Sequence, residues 1–286
     1  MDVIVIAEQA KRLSRRPRAS LTLLLLLVLS SLAWATEGDR FAPDNDWDAL
    51  LKRHVEWAAD GHASTVDYAG FAADHAALKR YLNALSAVSA REFEQWPVAK
   101  RRAFLINAYN AFTIELVLGR YPDLDSIREL GSWFRSPWQQ KFFSLLGKTR
   151  GLDDVEHGLL RGAPDFDEPR IHFAVNCASV GCPALRPEAY RGDLLDQQLA
   201  DQTRRFLSDR TRNRALPDTL QVSKLFDWYA EDFVQADSSL AAPLGFLAHH
   251  ANSLDMDAHT LDRLRRGSLK LEYTDYDWSL NQRGAP

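Results

Sequence analysis

Apolar residues recur every three or four positions over most of this chain, a spacing that is typical of amphipathic helices. The longest such stretch predicts a helix over residues 97–121, which Pro122 would end because proline cannot continue helical hydrogen bonding. The same spacing predicts shorter helical segments at 47–57, 75–85, 152–161, 193–206, 226–233, 243–250 and 257–265. Helices therefore dominate the predicted fold.

Alternation of apolar and polar residues, which is typical of strands, is confined to short segments. The clearest is 171–177, where Ile171, Phe173, Val175 and Cys177 would share one face of a strand. Further short strands are predicted within 66–68, 142–146, 219–222 and 270–278. Together the two patterns predict an α+β fold, a helix-rich single domain around a small, mainly antiparallel sheet.

The N-terminus has the features of a secretory signal peptide. Five basic residues precede an apolar run over 21–32, and a small-x-small pattern ends at Ala35. This run is shorter than the roughly 20 residues that span a membrane, so we expect cleavage after Ala35 and no stable membrane span afterwards. General secretion fits the leucine-rich run better than the twin-arginine route. The sequence therefore predicts a signal peptide over 1–35 and one mature domain over 36–286, with its core at about 47–281, in a bacterial periplasm or outside the cell.

The charge balance bears on the kind of partner. The chain has 35 Lys and Arg against 39 Asp and Glu, a formal net charge of −4. Loss of the basic leader would make the mature protein more acidic still, which argues against binding to nucleic acid. No motif in the chain predicts a cofactor. A peptide, a glycan or another protein remains as the expected ligand.

The stretch IHFAVNCASVGC contains both cysteines of the chain, Cys177 and Cys182. Their C-x4-C spacing is not that of a zinc site or a thioredoxin-type redox pair, so no metal site is predicted. In an oxidising compartment two cysteines this close usually form a disulfide, which the flexible loop between them permits. Alternatively, Cys177 is a nucleophile with His172 or His157 as its base. On a straight strand His172 and Cys177 would face opposite sides, so their pairing would need a bend.

Other polar residues lie in apolar surroundings. Asn107 and Asn110 are three positions apart on the longest predicted helix, where buried amides must be hydrogen-bonded. They either fasten a neighbouring loop or strand end, which is the more common role, or assist catalysis by orienting a histidine or donating to an oxyanion. Along the helix predicted at 152–161, His157 and Arg161 follow Asp153 at four-residue intervals. These three side chains form either a solvated face or part of a site.

Two aromatic and acidic segments lie near the C-terminus, FDWYAEDF with Trp228 and YTDYDWSLN with Asp277. Such segments are usually core edges, but each also supplies an acid that could orient a histidine, Asp227 or Asp232 in the first and Asp277 in the second. Alternation places Asp277 on the side opposite Tyr276 and Trp278, so its carboxylate is free to orient a histidine as the third member of a catalytic set.

Five sequence blocks together resemble the successive signatures of the DUF547 family: FLINAYNAFTIELVL, LDDVEHGLLR, IHFAVNCASVGCPAL, FDWYAEDF and YTDYDWSLN. The family has no settled activity. The resemblance implies that certain polar and aromatic positions recur and converge on one cluster. In this chain they are Asn107, Asn110, His157, Arg161, His172, Asn176, Cys177, Ser179, Cys182, Trp228 and Asp277.

Two classes of function remain open at this stage. One is a non-catalytic, disulfide-stapled envelope domain that binds its ligand through this cluster. The other is a thiol-dependent hydrolase or acyltransferase with Cys177 as nucleophile and His172 or His157 as base, and a thiol oxidoreductase that uses both sulfurs is a weaker third. The residues do not decide whether the protein is an enzyme.

Overall fold

Helices, rather than strands, provide most of the regular secondary structure in the described residues, as the apolar periodicity predicts. A computed structural model describes residues 41–132, 134–163, 167–234 and 239–284, all within one compact unit, Phe41–Pro286. The predicted signal peptide and its cleavage site lie outside these residues.

The α-helices of the described residues are α1 Asp44–His54, α2 Tyr68–Ala73, α3 His75–Ala87, α4 Ala90–Glu94, α5 Val98–Leu118, α6 Leu195–Ser208, α7 Leu225–Trp228, α8 Leu244–His249 and α9 Ala258–Arg265. A π-helix covers Asp154–Leu160. Short 3-10 helices cover Ile127–Leu130, Pro137–Gln139, Pro169–Phe173, Gly192–Leu194, Ala230–Asp232 and Ala251–Leu254. The strands are β1 Val55–Trp57, β2 Ser64–Val66, β3 Phe143–Leu145, β4 Lys148–Arg150, β5 Arg214–Ala215, β6 Thr219–Val222 and β7 Lys270–Tyr273.

Helix α5 is the longest helix and is buried on almost every side. Every residue from Ala103 to Ile114 is buried, and a helix that is apolar all round belongs in the interior of a domain. Its neighbours include α3, the π-helix, and the 3-10 helix at Gly192–Leu194. The helix predicted at 97–121 is thus confirmed, and it forms the centre of the fold.

The strands form three small sheets rather than one. β1 pairs with β2, β3 with β4 and β5 with β6, each antiparallel, whereas β6 and β7 are parallel. The α+β prediction with mainly antiparallel pairing is confirmed. Several boundaries differ. For example, Val55–Trp57 leaves the predicted first helix to pair with β2, and the last strand already ends at Tyr273.

The strand predicted at 171–177 is wrong. The chain forms a 3-10 helix over Pro169–Phe173, which Glu168 caps by accepting a hydrogen bond from the Arg170 N–H. The amides of both Ala174 and Val175 then bond to the Ile171 carbonyl. All residues from 171 to 176 are buried, so the apolar alternation does not separate an inner from an outer face.

This misread segment runs between two clusters of buried apolar side chains. Ile171 and Ala174 pack in the cluster around α5, whereas Phe173 packs with Phe206 and Phe226 in a second cluster beside α6 and α7. Packing on both sides fixes the backbone at 171–174, and with it the residue between them, His172. None of the helices in the described part of the chain is both long enough and apolar enough to cross a membrane.

Candidate functional site

A cavity of about 200 Å³ opens where the π-helix, the Pro169–Phe173 turn and α7 meet. Six aromatic side chains contribute to its wall, together with two carboxylates, two histidines and both cysteines. Its lining residues are Tyr109, Trp138, Asp153, Glu156, His157, His172, Val175, Cys177, Cys182, Pro183, Leu225, Trp228, Tyr229, Tyr276 and Trp278. Apolar walls with a few convergent polar groups are the usual composition of a ligand site.

His172 is a buried polar residue of this cavity whose ring is held by its neighbours. It is only 1 % exposed, its ring stacks on that of Tyr229 with centroids 4.0 Å apart, and its Nε2 lies 2.6 Å from a carboxylate oxygen of Asp232. Its Nδ1 is buried and has no hydrogen-bonding partner among the described residues. Because an ionised carboxylate only accepts hydrogen bonds, the network assigns the hydrogen to Nε2, and neutral His172 then has an acceptor lone pair on Nδ1.

Asp232 is held ionised by its neighbours. Burial opposes ionisation, but hydrogen bonds from His172 and Arg161 outweigh it and hold the Asp232 pKa well below its usual value. Arg161 binds both carboxylate oxygens through Nε and Nη2. Asp232 lies in the FDWYAEDF segment but was not among the predicted site residues, since nothing in the sequence indicates which acid of that segment reaches His172.

Glu156 is a second buried carboxylate that the sequence analysis missed. It is 5 % exposed, lines the cavity and accepts a 2.7 Å hydrogen bond from the Tyr229 hydroxyl. Burial, followed by the charge of Glu156, raises the pKa of Tyr109 well above its usual value, and the same two causes act on Tyr229. Both tyrosines therefore remain protonated at neutral pH.

The π-helix explains why Glu156 escaped notice. At the end of this helix the Arg161 amide donates to the Glu156 carbonyl, which lies five residues earlier, whereas in an α-helix the acceptor lies four residues earlier. This wider turn rotates side chains away from the positions that an α-helical wheel predicts, and π-turns of this kind are frequent at functional sites. The buried acid is Glu156, whereas His157 is 44 % exposed at its side chain.

His157 lies at the open side of the cavity beside two charged residues. Its Nδ1 is 2.9 Å from an Arg161 nitrogen, and its Nε2 is 3.9 Å from Asp153. Burial raises the pKa of the Asp153 carboxyl, while His157 opposes the rise. The predicted alignment of Asp153, His157 and Arg161 is therefore present, but Arg161 is directed mainly towards Asp232.

Cys177 and Cys182 form a disulfide with their Cα atoms 6.1 Å apart, as predicted. Around it, the Tyr276 hydroxyl lies 3.2 Å from the Cys177 sulfur, and Arg212 donates to the carbonyls of Gly181 and Cys182. A Cβ at Gly181 would lie 2.9 Å from the Asp277 carbonyl and from the Tyr276 ring, so only glycine permits this approach. In the disulfide, Cys177 has no thiolate to attack a substrate.

The three predicted asparagines hold backbone segments in place. Asn107 bonds to the amide and the carbonyl of Tyr190, and Asn110 bonds to the Asn176 amide and the Ala174 carbonyl. Asn176 in turn donates to the Pro183 carbonyl and accepts from the Ala178 amide. These contacts fit the structural role, in which the asparagines position the turn that contains His172 and the disulfide loop.

The remaining predicted residues divide between the cavity and its surroundings. Trp228 is 46 % exposed and lines the cavity beside Tyr276 and Trp278. Ser179 lies behind the disulfide, 3.2 Å from the Cys177 sulfur. The Asp277 carboxylate accepts a hydrogen bond from the Ser279 amide, and the acid that binds a histidine in the cavity is Asp232. No group of three or more potential ligands in the described part of the chain is arranged to hold a metal ion.

Residues 93–207 match the family described as "Protein of unknown function, DUF547". The matched segment includes α5, the π-helix, the His172 turn, the disulfide loop and nearly all of α6. It confirms the resemblance over these residues, whereas Asp232, Trp228 and Tyr276 lie outside the match. No curated protein and no solved structure matches the chain.

Proposed function

Taking residues 93–207 as a DUF547 segment, we propose that this is an exported, disulfide-stapled envelope protein that binds a peptide or glycan ligand in the cavity beside His172. The observation that carries the proposal is the state of His172. One ring nitrogen is fixed by an ionised carboxylate, the other is buried without a partner among the described residues, and the residue lines the cavity.

A buried polar atom without a partner costs roughly 1–3 kcal/mol. A ligand donor that reaches His172 Nδ1 would offset this cost, and the fixed ring would lose little side-chain entropy on binding. The aromatic wall supplies the apolar area that a small ligand needs for affinity. Export is supported by the basic and apolar pattern of residues 1–35.

A second candidate is a thiol-dependent hydrolase or acyltransferase, favoured by the fact that Cys177 lines the same cavity as His172 and His157. A dithiol reductant would first have to donate two electrons to the Cys177–Cys182 disulfide and be oxidised to its own disulfide. The Cys177 thiol would then pass its proton to His172 or His157 while the sulfur attacks an acyl carbonyl. The amine or alcohol leaving group takes up the proton, and water or a second acceptor releases the acyl group.

The proposed binding can be tested by nitrogen NMR of the histidine rings in the oxidised protein. The probe is a soluble muropeptide digest, with chito-oligosaccharides and short peptides as separate arms that distinguish glycan from peptide. We expect a saturable shift of the His172 Nδ1 resonance, because hydrogen bonding at this nitrogen changes its shielding. His75, which is bonded to Glu115 outside the cavity, is the internal control.

A His172 resonance that stays constant in all three arms would contradict the binding proposal. The thiol candidate has a separate readout, hydrolysis of an acyl ester after reduction by a dithiol. Cys177→Ser should abolish this turnover, and Cys182→Ser should retain it. Turnover that survives Cys177→Ser would exclude the Cys177 nucleophile.

A further inference from the structure

The composition of the cavity wall points to the chemical class of the ligand. We propose that the cavity binds a primary alkylammonium group, between its aromatic side chains and the carboxylates of Asp153 and Glu156. This inference rests on the proposed binding function and names the group on the ligand that the site recognises.

The aromatic wall suits a cation. Among the described lining residues six are Trp or Tyr and none is Lys or Arg. Trp228, Tyr276 and Trp278 form a continuous group with ring centroids 4.5–5.8 Å apart. The faces of such rings are electron-rich and attract ammonium groups, most strongly where water is excluded. An arginine, Arg128, already lies over Trp278 at 5.2 Å, so this group of rings accepts a cation in the protein itself.

The charges around the cavity are predominantly negative. Asp153 and Glu156 lie in the wall, and apart from Arg128 over the ring of Trp278, two nearby cationic side chains are engaged with other acids. Arg161 pairs with Asp232 and Glu231, and Lys141 pairs with Asp154. Among the described residues Glu156 forms no salt bridge, and Asp153 has only His157 at 3.9 Å, so the wall favours a positively charged ligand over a neutral or anionic one.

The hydrogen-bonding groups favour a primary ammonium over a quaternary one. With its hydrogen on Nε2 towards Asp232, His172 has a buried acceptor at Nδ1, and the Glu156 carboxylate has acceptor capacity beyond its bond from Tyr229. A primary ammonium carries three N–H donors, as the lysine side chain does, whereas a quaternary group carries none. The wall therefore offers hydrogen-bond acceptors, and a primary alkylammonium supplies the donors that these acceptors need.

The size of the cavity limits how much of a ligand can enter. Sites for drug-sized molecules enclose roughly 300–1,000 Å³, whereas this cavity has about 200 Å³. It accommodates a side chain or terminal amine rather than a whole large ligand. The open rim near Trp228, which is 46 % exposed, would leave the rest of the molecule outside.

The test uses the oxidised mature protein with three probes of similar size: n-butylammonium, its neutral analogue 1-butanol, and tetramethylammonium. Binding is followed by NMR of the indole N–H signals of Trp138, Trp228 and Trp278 at neutral pH, where an alkylammonium is charged. We expect n-butylammonium to bind about tenfold more tightly than 1-butanol, and more tightly than tetramethylammonium.

Glu156→Gln removes one of the two wall carboxylates but keeps the shape of the side chain, and it should weaken n-butylammonium binding by about tenfold while 1-butanol binding is unchanged. Asp153→Asn is the second variant, in case Glu156→Gln fails to fold. The matched control is Glu231→Gln, which removes the same charge from a side chain that is 84 % exposed outside the wall.

Each outcome separates this inference from the proposed function. Equal binding of n-butylammonium and 1-butanol would overturn the ammonium assignment and leave the cavity as a ligand site. Tighter binding of tetramethylammonium would overturn the role of the N–H donors. Absence of binding by all three probes would overturn the inference, while the His172 titration with muropeptides still decides the proposed function.

Discussion

Replacement of Asn110 by alanine should destabilise the whole domain, and the structure allows the size of the effect to be worked out. Asn110 is 2 % exposed on the central helix α5. Its oxygen accepts from the Asn176 amide at 2.8 Å, and its nitrogen donates to the Ala174 carbonyl at 3.0 Å. Alanine would leave both backbone groups buried and unpaired. At about 1–3 kcal/mol for each, the free energy of unfolding should fall by about 2–6 kcal/mol.

The assay is urea unfolding followed by circular dichroism, with Asn83→Ala as the matched control. Asn83 is exposed on the helix α3, where alanine is a better helix former and the change should stay within about 0.5 kcal/mol. Asn110→Asp keeps an acceptor for the Asn176 amide but directs a carboxylate oxygen at the Ala174 carbonyl, so it should also be strongly destabilising. If Asn110→Ala cost no more than Asn83→Ala, the asparagine would not be fastening this turn.

Three further predictions follow from the same contacts. Replacing Cys177 and Cys182 together by alanine should lower the free energy of unfolding by about 2 kcal/mol, since so short a loop constrains the unfolded chain only modestly; an unchanged urea midpoint would contradict this. Asp232→Asn should give His172 a mixture of ring tautomers in nitrogen NMR, because the ionised acceptor that fixes the hydrogen on Nε2 is lost; a single unchanged tautomer would argue against that role. Burial, then nearby positive charge, lowers the pKa of His250 from 6.5 to about 4. Above pH 6.5 the ring is neutral in both states. Between pH 6.5 and 4 only the unfolded state takes up the proton, so stability should fall in this window as the pH is lowered. The slope should be shallower in His250→Leu, and equal slopes would refute the assignment.

The sequence determined the features that depend on local spacing. Helix α5 follows from apolar residues at helical intervals between Pro97 and Pro122, and β6 was predicted at its observed bounds, Thr219–Val222. The disulfide was the expected pairing of two cysteines this close in an oxidising compartment, with a nucleophilic Cys177 as the alternative, and the structure contains it. In each case the interactions that decide the structure join residues close together in the chain, so a pattern of residue types is enough to reveal them.

The tertiary structure alone decided the chemistry of the site. The segment 171–177 reads as a strand, but it lies buried between two apolar clusters, so its alternation does not report which side faces solvent. Glu156 lies in the cavity wall on a π-helix rather than on the predicted α-helix, and Asp232 reaches His172 across 60 residues of sequence. A carboxylate that meets a histidine from a distant segment leaves no periodicity in the sequence, since its position depends on how the two clusters pack.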